Sequence, residues 1–230
     1  MKYMPIENYG VIGDLHTIGL VGINGSIDYL CFPELDSPSI FARLLDHDRG
    51  GFFLLAPEME DARTKQLYLS DTNILFTRFL SEEGVSEVSD FMPVEMVSSQ
   101  HNLVRRIKCV RGDVSCRMVC KPAFDYGRSG HRIEVNDHEV LFIPDNQNIP
   151  GLRLRTELPI QIKDEAVEAH FHLKPGESAV FILEEAVPPE ESQSRAEDFS
   201  TEAFKSTVNF WHRWVGGCCD GEGPWASGTT

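Results

Sequence analysis

The stretch "GLVGINGSIDYLCFP", residues 19–33, has the pattern of two short strands joined by a tight turn. The predicted strands are Thr17–Ile23 and Ser26–Phe32, and Asn24-Gly25 lies between them. An Asn-Gly pair tolerates the positive φ angles of a type I′ turn and is the strongest short-range signal for a β-hairpin. The stretch therefore predicts antiparallel β structure at the start of the chain.

The same alternation of apolar and polar residues recurs along most of the chain, as is typical of half-buried antiparallel strands. The further predicted strands are Gly51–Leu55, Lys65–Leu69, Asn73–Leu80, Val85–Phe91, Asn102–Val110, Val114–Lys121, Arg132–Val135, Glu139–Ile143, Leu152–Thr156, Ile160–Ile162, Val167–Leu173 and Ser178–Leu183. Turns are expected at Glu83-Gly84, Arg111-Gly112-Asp113, Asn136-Asp137 and Lys174–Glu177, and a short helical turn at Ser39–Leu45. The fold class predicted is mainly β, a supersandwich-like antiparallel β-sandwich over residues 1–187 with a C-terminal α-helix.

The composition changes after the sandwich. Residues 188–199 are polar and begin with two prolines, which predicts a linker. Residues 200–230 are expected to form a helix, Ser200–Val215, followed by a glycine-rich tail that frays. Within that helix, apolar residues recur at helical spacing and need a covering partner. They are Phe204, Val208, Trp211 and Val215, with Trp214 alongside.

The charge balance disfavours two classes of partner. The sequence has 36 acidic and 21 basic residues, a formal net charge of −15. Such a surface repels nucleic-acid phosphates and anionic membranes. The first residues have no apolar signal-peptide core, and no later stretch approaches the roughly 20 apolar residues of a spanning helix, which predicts a cytoplasmic protein. The six cysteines form no C-x-x-C pair and are expected to be reduced, mostly buried thiols.

Acidic and hydroxyl residues are dense just after the hairpin. Asp28, Glu34 and Asp36 lie in an otherwise apolar neighbourhood, and Ser37 follows. Asp36-Ser37-Pro38-Ser39 fits the N-cap of a short helix or a binding surface, and both alternatives stay open. Glycosidic hydrolysis needs a pair of carboxyl groups, but with 36 acidic residues the sequence alone selects no pair.

A second cluster is a weak candidate for a metal site. His170-Phe171-His172 places two imidazoles on one strand face, and Glu177 follows at a spacing that resembles the first metal motif of the cupins. The match is partial, since Asp164 stands where a cupin has glycine, and paired surface histidines are the commoner explanation. Dinucleotide, P-loop, G-x-S-x-G and H-E-x-x-H signatures are missing. No cofactor and no metal are therefore predicted.

The opening stretch belongs to a longer motif that resembles glycoside hydrolase family 15, which contains glucoamylases, glucodextranases and bacterial-type trehalases. The similarity is to its N-terminal β-sandwich, the trehalase-like N-terminal domain. It is carried by Ile12-Gly13-Asp14, Thr17–Val21, Asn24-Gly25-Ser26-Ile27-Asp28, Leu30-Cys31, Pro33, Asp36-Ser37-Pro38-Ser39-Ile40-Phe41 and Gly50-Gly51. It sharpens again at Trp211, Arg213, Trp214, Cys219, Gly223 and Trp225, which resemble the segment leading into the catalytic domain.

The resemblance implies that the chemistry belongs to a following (α/α)6 barrel, where two glutamates hydrolyse α-glucosidic bonds with inversion. No catalytic residue can be carried over to this sequence, so the chain is expected to be inactive alone. It implies a non-catalytic domain that packs against the barrel and shapes it, with trehalose or an α-glucan as the sugar. The family usually has tryptophan, arginine and an aromatic residue where this chain has Tyr29, Glu34 and Leu35, and Glu34 reverses the local charge.

The resemblance also assigns roles to individual residues. The loop with Asp28, Glu34, Asp36 and Ser37 is expected to face the barrel or a sugar. Phe204, Val208, Trp211, Trp214 and Val215 are expected to pack on the barrel, and without it the exposed helix favours self-association. Two alternatives are a stand-alone carbohydrate-binding module, which would need aromatic residues on an exposed sheet face, and a cupin-like metal-binding protein.

Overall fold

The chain folds into two antiparallel sheets packed face to face, with one long helix on the outside. The structure is a computed structural model that describes residues 3–94, 101–136, 139–186 and 194–219. The strands in chain order are β1 (Tyr9–Gly13), β2 (Ile18–Gly22), β3 (Ser26–Cys31), β4 (Ser39–Phe41), β5 (Phe52–Pro57), β6 (Arg63–Tyr68), β7 (Leu75–Leu80), β8 (Gly84–Phe91), β9 (Asn102–Gly112), β10 (Val114–Lys121), β11 (His131–Asn136), β12 (Glu139–Pro144), β13 (Leu152–Arg155), β14 (Gln161–Lys163), β15 (Ala166–Leu173) and β16 (Ser178–Glu185). The C-terminal helix is Ala196–Cys219. The predicted mainly β sandwich with a C-terminal helix is confirmed.

Each sheet has eight strands. The first has the order β1-β2-β3-β5-β10-β15-β14, with β4 paired to β3, and the second has the order β11-β12-β13-β16-β9-β8-β7-β6. Short single turns lie at Ile6–Asn8 and Phe124–Gly127. In the part of the chain that the structure describes, no helix has the length and apolar content that crossing a membrane requires.

The predicted hairpin at residues 19–33 is confirmed, but its turn differs from the prediction. The amide of Gly25 donates to the carbonyl of Gly22 over 2.8 Å, which puts Ile23 and Asn24 at the centre of the turn. Gly25 has φ +81°, whereas neither central residue has positive φ, so the turn is not type I′. A three-residue loop ending on a left-handed glycine, with a bulge, connects the strands instead. A Cβ at position 25 would collide with the carbonyl oxygen of Leu55, so the close approach of β5 also requires glycine.

Two other predicted turns connect strands of opposite sheets. The strands β9 and β10 flank Arg111-Gly112-Asp113, yet β9 pairs with β8 and β16 while β10 pairs with β5 and β15. The same holds for β15 and β16 around Lys174–Glu177. The segment Ser39–Leu45, predicted to be a helical turn, begins instead with the short strand β4, whose residues are all buried. The crossings between the sheets were not predictable, because local alternation marks a strand but not its neighbours.

The core between the sheets contains one ion pair among apolar side chains. Arg105 of β9 and Asp90 of β8 are fully buried, and the Arg105 Nε donates to the Asp90 carboxylate over 2.7 Å. The same guanidinium crosses to the first sheet, donating to the carbonyl of Gly25 over 2.7 Å and to that of Phe53. Arg105 therefore links the two sheets by hydrogen bonds to the backbone of β5 and the hairpin.

The C-terminal helix starts four residues before and ends four residues after the predicted Ser200–Val215. Residues 188–193 and 220–230 lie outside the described residues. Only the end of the predicted linker 188–199 is therefore corrected: residues 194–195 precede the helix, and residues 196–199 belong to it. Glu197 and Asp198 in the first turn favour this start, because acidic side chains stabilise the positive end of the helix dipole.

The helix covers the outer face of the second sheet. Its buried stripe consists of small residues three or four positions apart, namely Ala196, Ser200, Ala203 and Thr207. Phe204 and Val208 pack at the border of this stripe, and the Phe204 ring lies 5.6 Å from that of Phe91 in β8. The prediction that these two residues have no partner within the chain is therefore wrong. Trp214, by contrast, is 54% exposed.

Candidate functional site

The loop between β3 and β4 lies against the turn between β1 and β2. The amide of Leu35 donates to the carbonyl of His16 over 3.0 Å, which ties the two connections together. Within the loop, the Ser37 amide donates to the Glu34 carbonyl over 3.1 Å, and the Ser37 hydroxyl accepts from the Glu34 amide over 3.2 Å. These bonds hold the Glu34 side chain beside the β1–β2 turn. Ser37 is thus a loop-closing residue.

Asp14 organises that turn and reaches a distant histidine. Its Oδ1 accepts from the amides of His16 and Thr17 over 3.0 and 2.9 Å. Its Oδ2 lies 2.7 Å from Nδ1 of His101, the residue just before β9 in the second sheet. Asp14 is 3% exposed, so this bond is shielded from water. The two sheets therefore meet here through a buried carboxylate–imidazole pair.

Glu34 completes a group of four side chains that we call the histidine–carboxylate cluster: Asp14, His16, Glu34 and His101. The Glu34 Oε2 is 3.4 Å from His16 Nδ1, and its Oε1 is 3.9 Å from His101 Nε2. The two imidazole rings are 4.9 Å apart between centroids. At the end of β16, burial raises the pKa of Glu185, with His101 lowering it and Glu34 raising it. The cluster thus lies beside a third carboxyl group.

An apolar groove of about 250 Å³ borders the cluster. We define it by those apolar lining residues that are exposed or half-buried: Val11, Leu15, Ile18, Leu35 and Trp211. Leu15 and Leu35 are more than half exposed, at 55% and 54%. The groove combines the β1–β2 turn, the β3–β4 loop and the C-terminal helix. This is a concentration of uncovered apolar surface at one place on the domain.

Asp28 and Asp36, both predicted for the same loop, lie in different environments. Asp28 is 5% exposed and accepts hydrogen bonds from the Tyr9 hydroxyl over 2.8 Å and the Ser26 hydroxyl over 2.5 Å. Burial, together with the bond to Asp28, raises the pKa of Tyr9. Asp28 therefore stabilises the hairpin from inside, and its predicted place on a facing surface is corrected. Asp36 is exposed at the tip of the loop.

The structure does not bring the cupin-like trio together as a metal site. His170 and His172 lie on the outer face of the first sheet, where their ring nitrogens are 3.5 Å from Glu168 and 3.9 Å from Asp113. Glu177 instead accepts from the Lys174 amide over 2.8 Å and closes its own turn. Across the residues described, the three side chains placed to share a metal ion are His16, Glu34 and His101, with ligand atoms within 4.8 Å of one another.

The described cysteines are unsuited to nucleophilic chemistry. Cys31, Cys109, Cys116 and Cys120 are free and buried. Burial raises the pKa of the Cys116 thiol to about 12, far from the range in which a thiolate forms at neutral pH. The prediction of buried thiols is confirmed for these four, and the side chains of Cys218 and Cys219 lie outside the described residues.

Sequence reasoning found Glu34 but missed its neighbours Asp14, His16 and His101. Asp14 and His101 are separated by 87 positions, and their contact depends on the first and second sheets meeting at this end of the sandwich. In the sequence, Asp14 stands out only as part of the Ile12-Gly13-Asp14 motif, and in the structure its carboxylate closes a tight turn by accepting backbone amides. Neither feature by itself indicates a site.

Comparison with known proteins agrees with the fold and with the resemblance of the opening motif. Residues 1–203 match the family described as Trehalase-like, N-terminal. The trehalase of Mycobacterium tuberculosis is 28% identical over 236 residues, which cover 93% of this chain and 34% of that protein. Trehalase 1 of Sulfolobus acidocaldarius is 30% identical over 212 residues, covering 90% of this chain and 34% of that protein. The chain thus spans about a third of the length of these relatives.

A solved structure shows the same fold. The crystal structure of a bacterial glucoamylase complexed with acarbose superimposes with a TM-score of 0.59 at 9% identity, over 92% of this chain and 37% of that one. At this identity the likeness concerns the fold alone. Since the family match extends over most of the sequence, the chain belongs to the family of trehalase-like N-terminal domains.

Proposed function

We propose that this domain is a non-catalytic scaffold on which the catalytic barrel of a trehalase- or glucoamylase-like glycoside hydrolase packs. The observation that carries the proposal is the apolar groove, whose exposed side chains come from a turn, a loop and the C-terminal helix. Contiguous exposed apolar surface on a soluble domain is typical of an interaction site. The barrel is its occupant, because about two-thirds of each trehalase relative lies outside the matched region.

The residues of the predicted interface then have distinct roles. Leu35 and Leu15 supply apolar contact, Asp36 at the loop tip lies at the rim, and Trp214 extends the surface along the helix. The half-buried Trp211 lines the groove itself, and Val215 lies one turn further on. If the groove and Trp214 stay uncovered, they also favour self-association of the isolated domain. Phe204 and Val208 already pack against the second sheet, so the predicted self-association surface no longer includes them.

The relatives and the thiols support proposals for the substrate and the location. The names of the trehalase relatives support trehalose as the substrate of the enzyme to which this domain would belong. The structural similarity to a glucoamylase supports an α-glucan as the alternative substrate. Four free, buried cysteines support a reducing compartment such as the cytoplasm.

Direct sugar binding by this domain is the second candidate function. Tyr68 and Trp211 line one neighbouring groove of about 410 Å³, and aromatic rings there could stack on a sugar. Titration calorimetry of the chain with trehalose and maltooligosaccharides distinguishes the two roles. A scaffold gives no binding heat, whereas saturable heat that is lost in Trp211→Ala supports a carbohydrate-binding module.

A chimera tests the scaffold role. This chain would replace the matching N-terminal third of Sulfolobus acidocaldarius trehalase 1, and the variants Leu35→Glu and Ile162→Glu would be compared in that background. Both side chains are about half exposed, at 54% and 52%, but Ile162 lies on β14, the edge strand at the opposite end of the first sheet. We expect Leu35→Glu to lower the melting temperature and the rate of trehalose hydrolysis, and Ile162→Glu to leave both unchanged. Equal behaviour of the two variants would contradict the proposed interface.

A further inference from the structure

We propose that His16, Glu34 and His101 bind one divalent transition-metal ion of the Zn²⁺ type. The site is formed entirely within this chain and does not depend on the proposed scaffold role. Glu34 supplies one carboxylate oxygen, and its two oxygens each lie near one of the imidazoles. All three side chains already present their ligand atoms within 4.8 Å of one another.

Two of the ligand distances approach those of a coordination sphere, and all three ligand atoms lie within 4.8 Å of one another. Ligands at about 2.0–2.1 Å from a tetrahedral ion are roughly 3.3 Å from one another. His16 Nδ1 and Glu34 Oε2 are 3.4 Å apart, and His101 Nε2 and Glu34 Oε1 are 3.9 Å apart. His16 and Glu34 have 55% and 47% of their side-chain surface exposed, so small rotations can close the remaining gap. The same exposure leaves a fourth position open to water.

His101 is prepared for this role by the protein. Its side chain is 10% exposed, and its Nδ1 is 2.7 Å from the buried Asp14 carboxylate. Since the carboxylate accepts the Nδ1 proton, the lone pair of the neutral ring is on Nε2, the atom that faces Glu34. Hydrogen bonding of the second ring nitrogen to a carboxylate is the usual arrangement for a metal-binding histidine, because it fixes the tautomer and raises ligand basicity.

The ligand types select the class of ion. Two imidazoles and one carboxylate suit zinc and neighbouring transition metals, whereas Mg²⁺ and Ca²⁺ prefer oxygen ligands throughout. The carboxyl groups of Asp14 and Glu34 lie beside the two imidazoles, which are neutral in the metal-bound form, and Glu185 is near enough to interact electrostatically with His101 and Glu34. A dication therefore offsets negative charge that is concentrated at this end of the domain.

Calorimetric titration of the purified, EDTA-treated chain with ZnCl₂ tests the site. The experiment would use a Cys218→Ser, Cys219→Ser background to remove the two cysteines nearest the C-terminus. We expect one ion per chain, no comparable binding of MgCl₂, and about ten- to hundredfold weaker binding in Asp14→Asn. His16→Ala, which removes an exposed ligand and should leave the melting temperature of the apo-protein unchanged, should weaken binding by more than Asp14→Asn.

Matched controls and a spectrum make the outcome decisive. His170→Ala and His172→Ala remove two histidines that are about as exposed as His16, and should leave zinc binding unchanged. With Co²⁺ as the probe, visible absorption without a thiolate charge-transfer band should develop in the parent protein and not in His16→Ala. No zinc binding, binding that survives His16→Ala and Glu34→Gln, or binding lost in the His170 and His172 variants would each overturn the proposal.

Discussion

At the scale of single residues, Arg105 is the largest side chain that the core buries completely. Replacing it with methionine keeps much of its volume but leaves the Asp90 carboxylate without its cation and removes the guanidinium hydrogen bonds to the carbonyls of Gly25 and Phe53. We predict that Arg105→Met lowers the free energy of unfolding by about 3–5 kcal/mol, as for other broken buried ion pairs. Urea denaturation measures this change.

The control is another arginine–carboxylate pair in the same sheet. Arg78 of β7 lies 2.5 Å from Glu87 of β8, but its side chain is 44% exposed. Solvent-exposed pairs contribute about 0–1 kcal/mol, so Arg78→Met should have a small effect. Similar losses in the two variants would show that Arg105 does not link the sheets as described.

His131 connects a single side chain to the pH dependence of stability. Its ring lies 5.5 Å from that of Phe124 and 5.7 Å from that of Phe142. Burial lowers the pKa of His131, although Glu165 and Asp145 oppose the shift and Lys121 adds to it. Because the unfolded chain binds the proton at a higher pH, stability should fall as the pH drops below about 6.5, until the folded state is protonated too.

We predict that His131→Gln reduces this acid-induced loss of stability. The free energy of unfolding would be measured by urea denaturation at several values between about pH 7 and pH 5, a window that spans the ordinary pKa of histidine. His172→Gln, at a side chain that is 51% exposed, serves as the control and should retain the pH dependence of the parent protein. An unchanged slope in His131→Gln would refute the assignment.

At the scale of elements, the C-terminal helix should stabilise the sandwich through Phe204 and not through Trp214. The Phe204 ring lies 5.6 Å from Phe91 and 6.5 Å from Phe76, whereas Trp214 is 54% exposed. We predict that Phe204→Ala lowers the free energy of unfolding by about 3 kcal/mol. This is the lower end of the range for a Phe→Ala change, because the ring is only partly buried. Trp214→Ala should change stability by less than about 0.5 kcal/mol. Thermal and urea unfolding of both variants would show the difference, and a larger loss in Trp214→Ala would contradict this packing.

The helix also shows where sequence reasoning reaches its limit. Its large apolar residues predicted the element and its approximate position, but the buried stripe beside Phe204 consists of Ala196, Ser200, Ala203 and Thr207. Small and hydroxyl residues do not register as a hydrophobic face, although they permit the closest approach of helix and sheet. The facing strand β16 is apolar on both faces. Residues 179–183 form a continuous apolar run, because the core between the sheets covers one face and the helix covers the other.

At the scale of the whole molecule, the sequence predicted the class of fold but not which strands are neighbours. Period-two alternation indicates that one face of a strand is buried, but it does not indicate which strands pair. The sequence could therefore not predict that the chain passes from one sheet to the other between β9 and β10. The histidine–carboxylate cluster depends on how the two sheets pack, because Asp14 follows β1 of the first sheet and His101 leads into β9 of the second. Glu34 was identifiable since the signal for it was local, in the loop beside the hairpin.

At the scale of the whole molecule, several exposed apolar side chains lie around one groove, namely Val11, Leu15, Ile18 and Leu35. The most direct test is the release of glucose from trehalose, measured for the pure chain and for its chimera with the catalytic region of Sulfolobus acidocaldarius trehalase 1. We predict no release above the blank from the chain alone and protein-dependent release from the chimera. Glucose release by the chain alone, or an inactive chimera whose two parts are both folded, would contradict the account.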